Sequence, residues 1–120
     1  MLQRGFYVRE STIVKLQKAL LESWSIHSSS KWTKENPAKG QCGVTALVVN
    51  DILGGHIKKT LLFEGWHFYN EINGVRYDFT VSQFNEEIRY LDIFSNRKEA
   101  FLDTNHKQYD YLKQSVELLL

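Results

Sequence analysis

With one cysteine, Cys42, the chain can form no internal disulfide, so its stability cannot rest on a covalent framework. Proline is nearly absent too, with Pro37 alone, and there is no low-complexity tract, internal repeat or linker composition to divide the chain. Charge of either sign is scarce in excess: 15 basic against 14 acidic residues leave +1, too little to draw in nucleic acid or an anionic membrane. Lys58-Lys59 and Arg97-Lys98 read as solvated surface. No run of 18 apolar residues spans a membrane, and Met1-Leu2-Gln3-Arg4-Gly5-Phe6 lacks the apolar stretch of a signal peptide. These absences point to a cytoplasmic protein.

What remains is ordinary globular composition, 42% hydrophobic and 24% charged over 120 residues. A chain of this length buries about two thirds of its unfolded surface, enough for one domain over 1–120 without metal or cofactor. A monomer or weak homodimer is expected.

Ser11 is placed to cap a helix running to about Trp24, with Ile13, Leu16, Gln17, Leu20 and Leu21 as its stripe. Ser25 to Gly40 is polar and reads as a long surface loop, a common location for function. From Gln41 to Leu53 nearly every face is apolar, which predicts a buried helix ended by Gly54-Gly55. Ile57 to Phe63 reads as a strand. Trp66 to Ile72 and Val75 to Phe79 form a hairpin about Asn73-Gly74. Thr80 with Gln83 suggests a capping box, Glu87 to Phe94 a further strand, and Asn105 to Leu120 a helix with Tyr109, Leu112, Val116 and Leu119 on one side. Leu118-Leu119-Leu120 is an apolar tail that must dock or find a partner. The fold class is therefore α+β.

Chemistry concentrates at three residues. Cys42 opens the buried helix, where the dipole and unpaired N–H groups favour thiolate and oxyanion alike. The alternative is a small buried hydrophobe. A two-residue turn at Asn73-Gly74 pairs Ile72 with Val75, Glu71 with Arg76, Tyr69 with Asp78 and His67 with Thr80. Trp66, Phe68, Ile72, Val75, Tyr77 and Phe79 then share a core face. His67, Tyr69, Glu71, Arg76, Asp78 and Thr80 share the other. His67 and Asp78 become diagonal neighbours, close enough for a carboxylate to orient an imidazole. A solvated polar face explains the same pattern. One difficulty follows: a helix packed on the apolar face has His67 pointing away from Cys42, unless it crosses near the end of the sheet.

Gly40-Gln41-Cys42 resembles the G-Q-C-W nucleophile motif of transglutaminases, His67-Phe68-Tyr69-Asn70-Glu71 their H-x-W-N-E strand, and Asp78-Phe79-Thr80 their D-x-T. Gly43 stands where those enzymes carry an aromatic residue. The stretch from Trp32 through Phe84 is also similar to the YunG-like group of small, uncharacterised bacterial proteins. The first resemblance implies a transglutaminase-like (papain-like) core, with the Cys42 helix on an antiparallel sheet and helices flanking it at both termini. It further implies a nucleophile Cys42, a general base and acid His67, and an orienting carboxylate Asp78. The expected activity is that of an amide hydrolase or acyl transferase on a peptide or amide substrate, with Gln41, Trp32 and Tyr69 lining the pocket. A non-catalytic binding module that keeps the fold is the alternative. Zinc on Cys42, His67 and Asp78 is a third reading, weakened by the absence of C-x-x-C or H-x-x-x-H spacing.

Overall fold

The computed structural model describes residues 9–120; residues 1–8, which the sequence places in the same domain, lie outside the described residues. The elements run α1 (Glu10–Ser23), α2 (Cys42–Leu53), β1 (His56–Leu62), β2 (Gly65–Ile72), β3 (Val75–Tyr77), a 3-10 turn (Val81–Gln83), β4 (Ile93–Phe94), α3 (Arg97–Ala100) and α4 (His106–Leu119). The strands form one antiparallel sheet in the order β3-β2-β1-β4. This is an α+β architecture with helices packed against a small sheet.

Helix α2 is the centre of the molecule. Its first eight residues, Cys42 to Val49, are all buried. One side of it meets Leu16, Leu20 and Trp24 of the α1 region, Leu112 and Val116 of α4, and Ile72 and Phe79 beyond β2. The other side meets Ile57, Phe68 and Ala100. Burial on all sides explains why its sequence shows no polar stripe. The chain leaves α2 through Gly54 and Gly55, both at positive φ. At Gly55 a Cβ would lie 2.3 Å from the Glu71 carbonyl oxygen, so both the backbone angle and the close approach to β2 require glycine.

The hairpin register is the expected one: Glu71 faces Arg76 and Ile72 faces Val75 across a turn with Asn73 at φ 53° and Gly74 at φ 78°. The anticipated charge pair across it does not form. Glu71 instead pairs with Lys58 at 3.1 Å, and Arg76 turns to Asp92, because neighbouring segments bring closer partners. Strand β3 stops at Tyr77, so Tyr69–Asp78 and His67–Thr80 are not ladder pairs.

Other boundaries shift as well. Ser11 does not cap α1; the helix begins one residue before it, after Arg9, with no side-chain cap and Glu10 in the first turn to meet the dipole. Leu21 is 54% exposed, since Leu16, Ala19 and Leu20 fill the contact. Thr80 precedes the 3-10 turn without capping it; Gln83 Nε2 donates to its hydroxyl at 3.1 Å. Only Ile93–Phe94 of the expected 87–94 strand pairs, because the preceding residues bond to side chains of β1 and β2, Thr60 accepting from Leu91 N and donating to the Arg89 carbonyl, rather than to the β1 backbone. Trp66 and Val75, expected in the core, are exposed. The C-terminal helix buries Leu112 and Val116 and is capped by Asn105, which accepts from Gln108 N. Leu119 and Leu120 stay half exposed beside a groove on α1. Among the described residues no helix is long and apolar enough to cross a membrane.

Candidate active site

The segment preceding α2 is ordered by its own polar groups. Ser28 and Ser29 bond back to Ser25, and Asn36 donates to the Gln83 carbonyl at 3.1 Å. This brings Gly40-Gln41 into α2 and leaves Cys42 as the first helical residue, 8% exposed.

His67 is held from every side. Its Nε2 lies 2.7 Å from Asp78 Oδ2, and both side chains are almost fully buried. Phe84 packs edge-on against the ring with centroids 4.8 Å apart. Asp78 is itself fixed: Tyr90 donates to Oδ2 at 2.8 Å, while the Thr80 amide and hydroxyl reach Oδ1 at 3.3 and 3.4 Å. With a carboxylate at Nε2, that nitrogen is the donor, and Nδ1 is left as the acceptor. Nδ1 is buried and, among the described residues, has no hydrogen-bond partner. The ring lines a cavity of about 240 Å³ together with Cys42, Asp103, Trp66, Phe84 and Lys31.

The difficulty of the two sheet faces is resolved by the short β3. Helix α2 does pack on the Phe68–Ile72 face, where Asn70 donates to the Ala46 carbonyl at 3.0 Å. Beyond Asn70, however, β2 has no partner in β3. The N-terminus of α2 lies against β2 there, with Cys42 and Phe68 in the same buried cluster. Cys42 and His67 therefore reach a common cavity around the end of the ladder rather than through the sheet.

The three residues expected to line the pocket lie elsewhere. Gln41 is wholly buried and donates to the Ser25 carbonyl at 3.5 Å, tying the loop to the helix start. Trp32 packs against the α1–α4 side of the core. Tyr69 is buried under the 85–92 segment, donating to Asp92 Oδ1 and accepting from Asp92 N, both at 2.9 Å. None of the three lines the cavity that Cys42 and His67 share. Cys42, His67 and Asp78, the zinc set considered from the sequence, are not gathered as metal ligands, and no cluster of three or more such groups occurs among the described residues.

Two site residues had no sequence signal. Tyr90 lies in irregular chain, and nothing local links it to Asp78. Asp103 sits in the turn between α3 and α4, yet its Oδ2 accepts from the Cys42 thiol at 3.4 Å and from Gly43 N at 3.0 Å. Burial, and then the Asp103 carboxylate, push the Cys42 pKa well above that of an ordinary thiol, against the opposing pull of the Phe68 N–H. Burial also raises the Asp103 pKa, opposed by the Gly43 N–H.

A thiol whose folded pKa is raised stabilises the fold below its unfolded value and ceases to do so above it. Stability should therefore fall as pH rises past about 8.5, by at most about 1.4 kcal/mol per pH unit. Tyr69 and Tyr90 are shifted in the same direction but act only above about pH 10. Urea midpoints between these limits should decline for wild type and stay flatter for Cys42→Ala. Parallel curves would contradict the shift.

Residues 12–120 match the YunG protein family, and the chain belongs to that family. It is 62% identical over 96 residues to the "Uncharacterized protein YunG" of Bacillus subtilis (strain 168), covering 80% of this chain and 84% of that protein. No solved structure matches it.

Proposed function

We propose that this YunG-family protein is a thiol enzyme acting on an amide, with Cys42 as nucleophile, His67 as the group that moves the proton, and Asp78 as the carboxylate that orients it. One arrangement carries the proposal: a buried imidazole whose Nε2 is held at 2.7 Å by a carboxylate, while its Nδ1 has no hydrogen-bond partner among the described residues and the residue lines the same cavity as Cys42, the only cysteine of the sequence. A buried imidazole nitrogen without a hydrogen-bond partner is uncommon in a histidine that only packs. The order Cys, His, Asp and its resemblance to the transglutaminase motifs support the same roles.

The chemistry follows from the geometry. Nδ1 takes the thiol proton, and the sulfur adds to the amide carbonyl carbon. The imidazolium returns that proton to the departing nitrogen, whose bond to carbon breaks as the thioester forms. Water attacks the thioester with His67 accepting its proton, and the thiol is restored; an amine in place of water gives acyl transfer. Trp66 and Phe84 offer apolar surface beside the reacting bond.

A binding module that retains the cysteine is the second reading, favoured by the elevated thiol pKa and the bond to Asp103. Alkylation by iodoacetamide at neutral pH separates the two. Cys42 should react in the folded protein, and His67→Ala should slow it about tenfold or more, one pKa unit being a factor of ten. Equal rates with and without the imidazole would favour the module.

A further inference from the structure

The contact between Asp103 and Cys42 is not explained by the chemistry just described. A thiol that donates to a carboxylate is not donating to His67, and an anion beside the sulfur opposes both the thiolate and the oxyanion that would follow. The contact is nevertheless built into the fold. It exists because residue 43 is glycine: a Cβ there would lie 2.6 Å from Asp103 Oδ2 and 2.9 Å from the Ala100 carbonyl oxygen. The Asp103 carboxylate also has no ion-pair partner among the described residues, although it faces a cavity. Lys31 lines the same cavity without pairing with it. Among the described residues no cation is paired with Asp103, which feels Lys31 only at longer range, and the buried His67 Nδ1 has no hydrogen-bond partner.

We propose that the site takes amides bearing an ammonium or guanidinium group close to the reacting carbonyl, and that pairing of this cation with Asp103 draws the carboxylate from Cys42 and lets the thiol proton pass to His67. The proposal rests on the thiol-enzyme reading and names its substrate class. Asp103 is a specificity residue in it: with the substrate cation bound, the negative charge beside the sulfur is neutralised, and the carboxylate that quenched the nucleophile now positions its target. An uncharged amide leaves the thiol quenched. Glu64 lines the cavity, as do Lys31 and Lys39, so the preference for a cation rests on Asp103 itself.

The test is the rate of Cys42 alkylation by iodoacetamide, at one pH and constant ionic strength, with methylguanidinium or ethylammonium chloride replacing sodium chloride. Wild type should accelerate several-fold, saturating at millimolar cation. Asp103→Asn should start about tenfold faster, the effect of one pKa unit, and should not respond to either cation. Its side-chain oxygen can still accept from Gly43 N, so the urea midpoint should hold; if it falls, Asp103→Ser provides a second route, since it removes the charge and should also speed the reaction. Wild-type rates in both variants would overturn the restraint. A wild type indifferent to both cations would overturn the substrate class. Adding His67→Ala to Asp103→Asn separates this from the parent proposal: the double variant must be slower than Asp103→Asn, and equality would remove the thiol-enzyme reading while leaving the restraint in place.

Discussion

Asp78→Asn should lower turnover of an amide substrate by about three to four orders of magnitude with the fold intact, the scale seen when a triad carboxylate is made an amide. The reason is the tautomer. Asp78 Oδ2 faces Nε2 at 2.7 Å and also receives the Tyr90 hydroxyl. An amide group donating toward Nε2 would place the ring proton on Nδ1, the nitrogen that must accept from Cys42. Iodoacetamide alkylation of Cys42 should then fall to the His67→Ala level, which can be measured before a substrate is known. Asp78→Ala should differ in kind. It strips buried His67 and Tyr90 of their acceptor and should lower stability by about 1–3 kcal/mol, visible as a lower urea midpoint. Alkylation at the wild-type rate in Asp78→Asn would mean that the carboxylate has no orienting role.

Leu47→Ala is expected to be the most damaging single truncation in the core. Leu47 is fully buried in α2, packed with Ala46, Ile57, Phe68 and Ala100. The loss should be about 3 kcal/mol, within the roughly 2–5 kcal/mol of such truncations. Against a total stability of about 5–15 kcal/mol, that is a large fraction. The urea midpoint should fall by about 1–3 M, given slopes of about 1–3 kcal/mol per M. A drop below about 0.3 M would show that the neighbours collapse into the space. Because the same cluster includes Cys42, the truncation should also loosen the placement of the thiol against β2.

Local chemistry made much of this legible from the sequence. Asn73-Gly74 fixed the hairpin register because few dipeptides accept two successive positive φ angles. An apolar run without a polar stripe identified α2 as buried, and the glycines after it marked its end. The proximity of His67 to Asp78 followed from that register, although β3 ends one residue before Asp78, so a side-chain contact rather than a ladder joins them. What failed depends on partners distant in sequence. The Glu71–Arg76 pair yielded to Lys58 and Asp92, and the pocket expected from Gln41, Trp32 and Tyr69 yielded to Trp66, Phe84 and Asp103. Asp103 lies 61 residues from Cys42, and no spacing rule connects a turn aspartate to a helix start at that range.

The closeness of Gly43 to the α3–α4 turn ties together two parts of the chain that inheritance would otherwise vary separately. A bulkier residue at position 43 would collide with the Ala100 carbonyl and the Asp103 side chain, so it is tolerable only where that turn is shortened or rerouted. Substitution at either place is thus conditional on the other. Within the family, the residue after the cysteine and the length of the α3–α4 connection should change as a pair, and a lineage that carried an aromatic residue there would have to give up the aspartate as well.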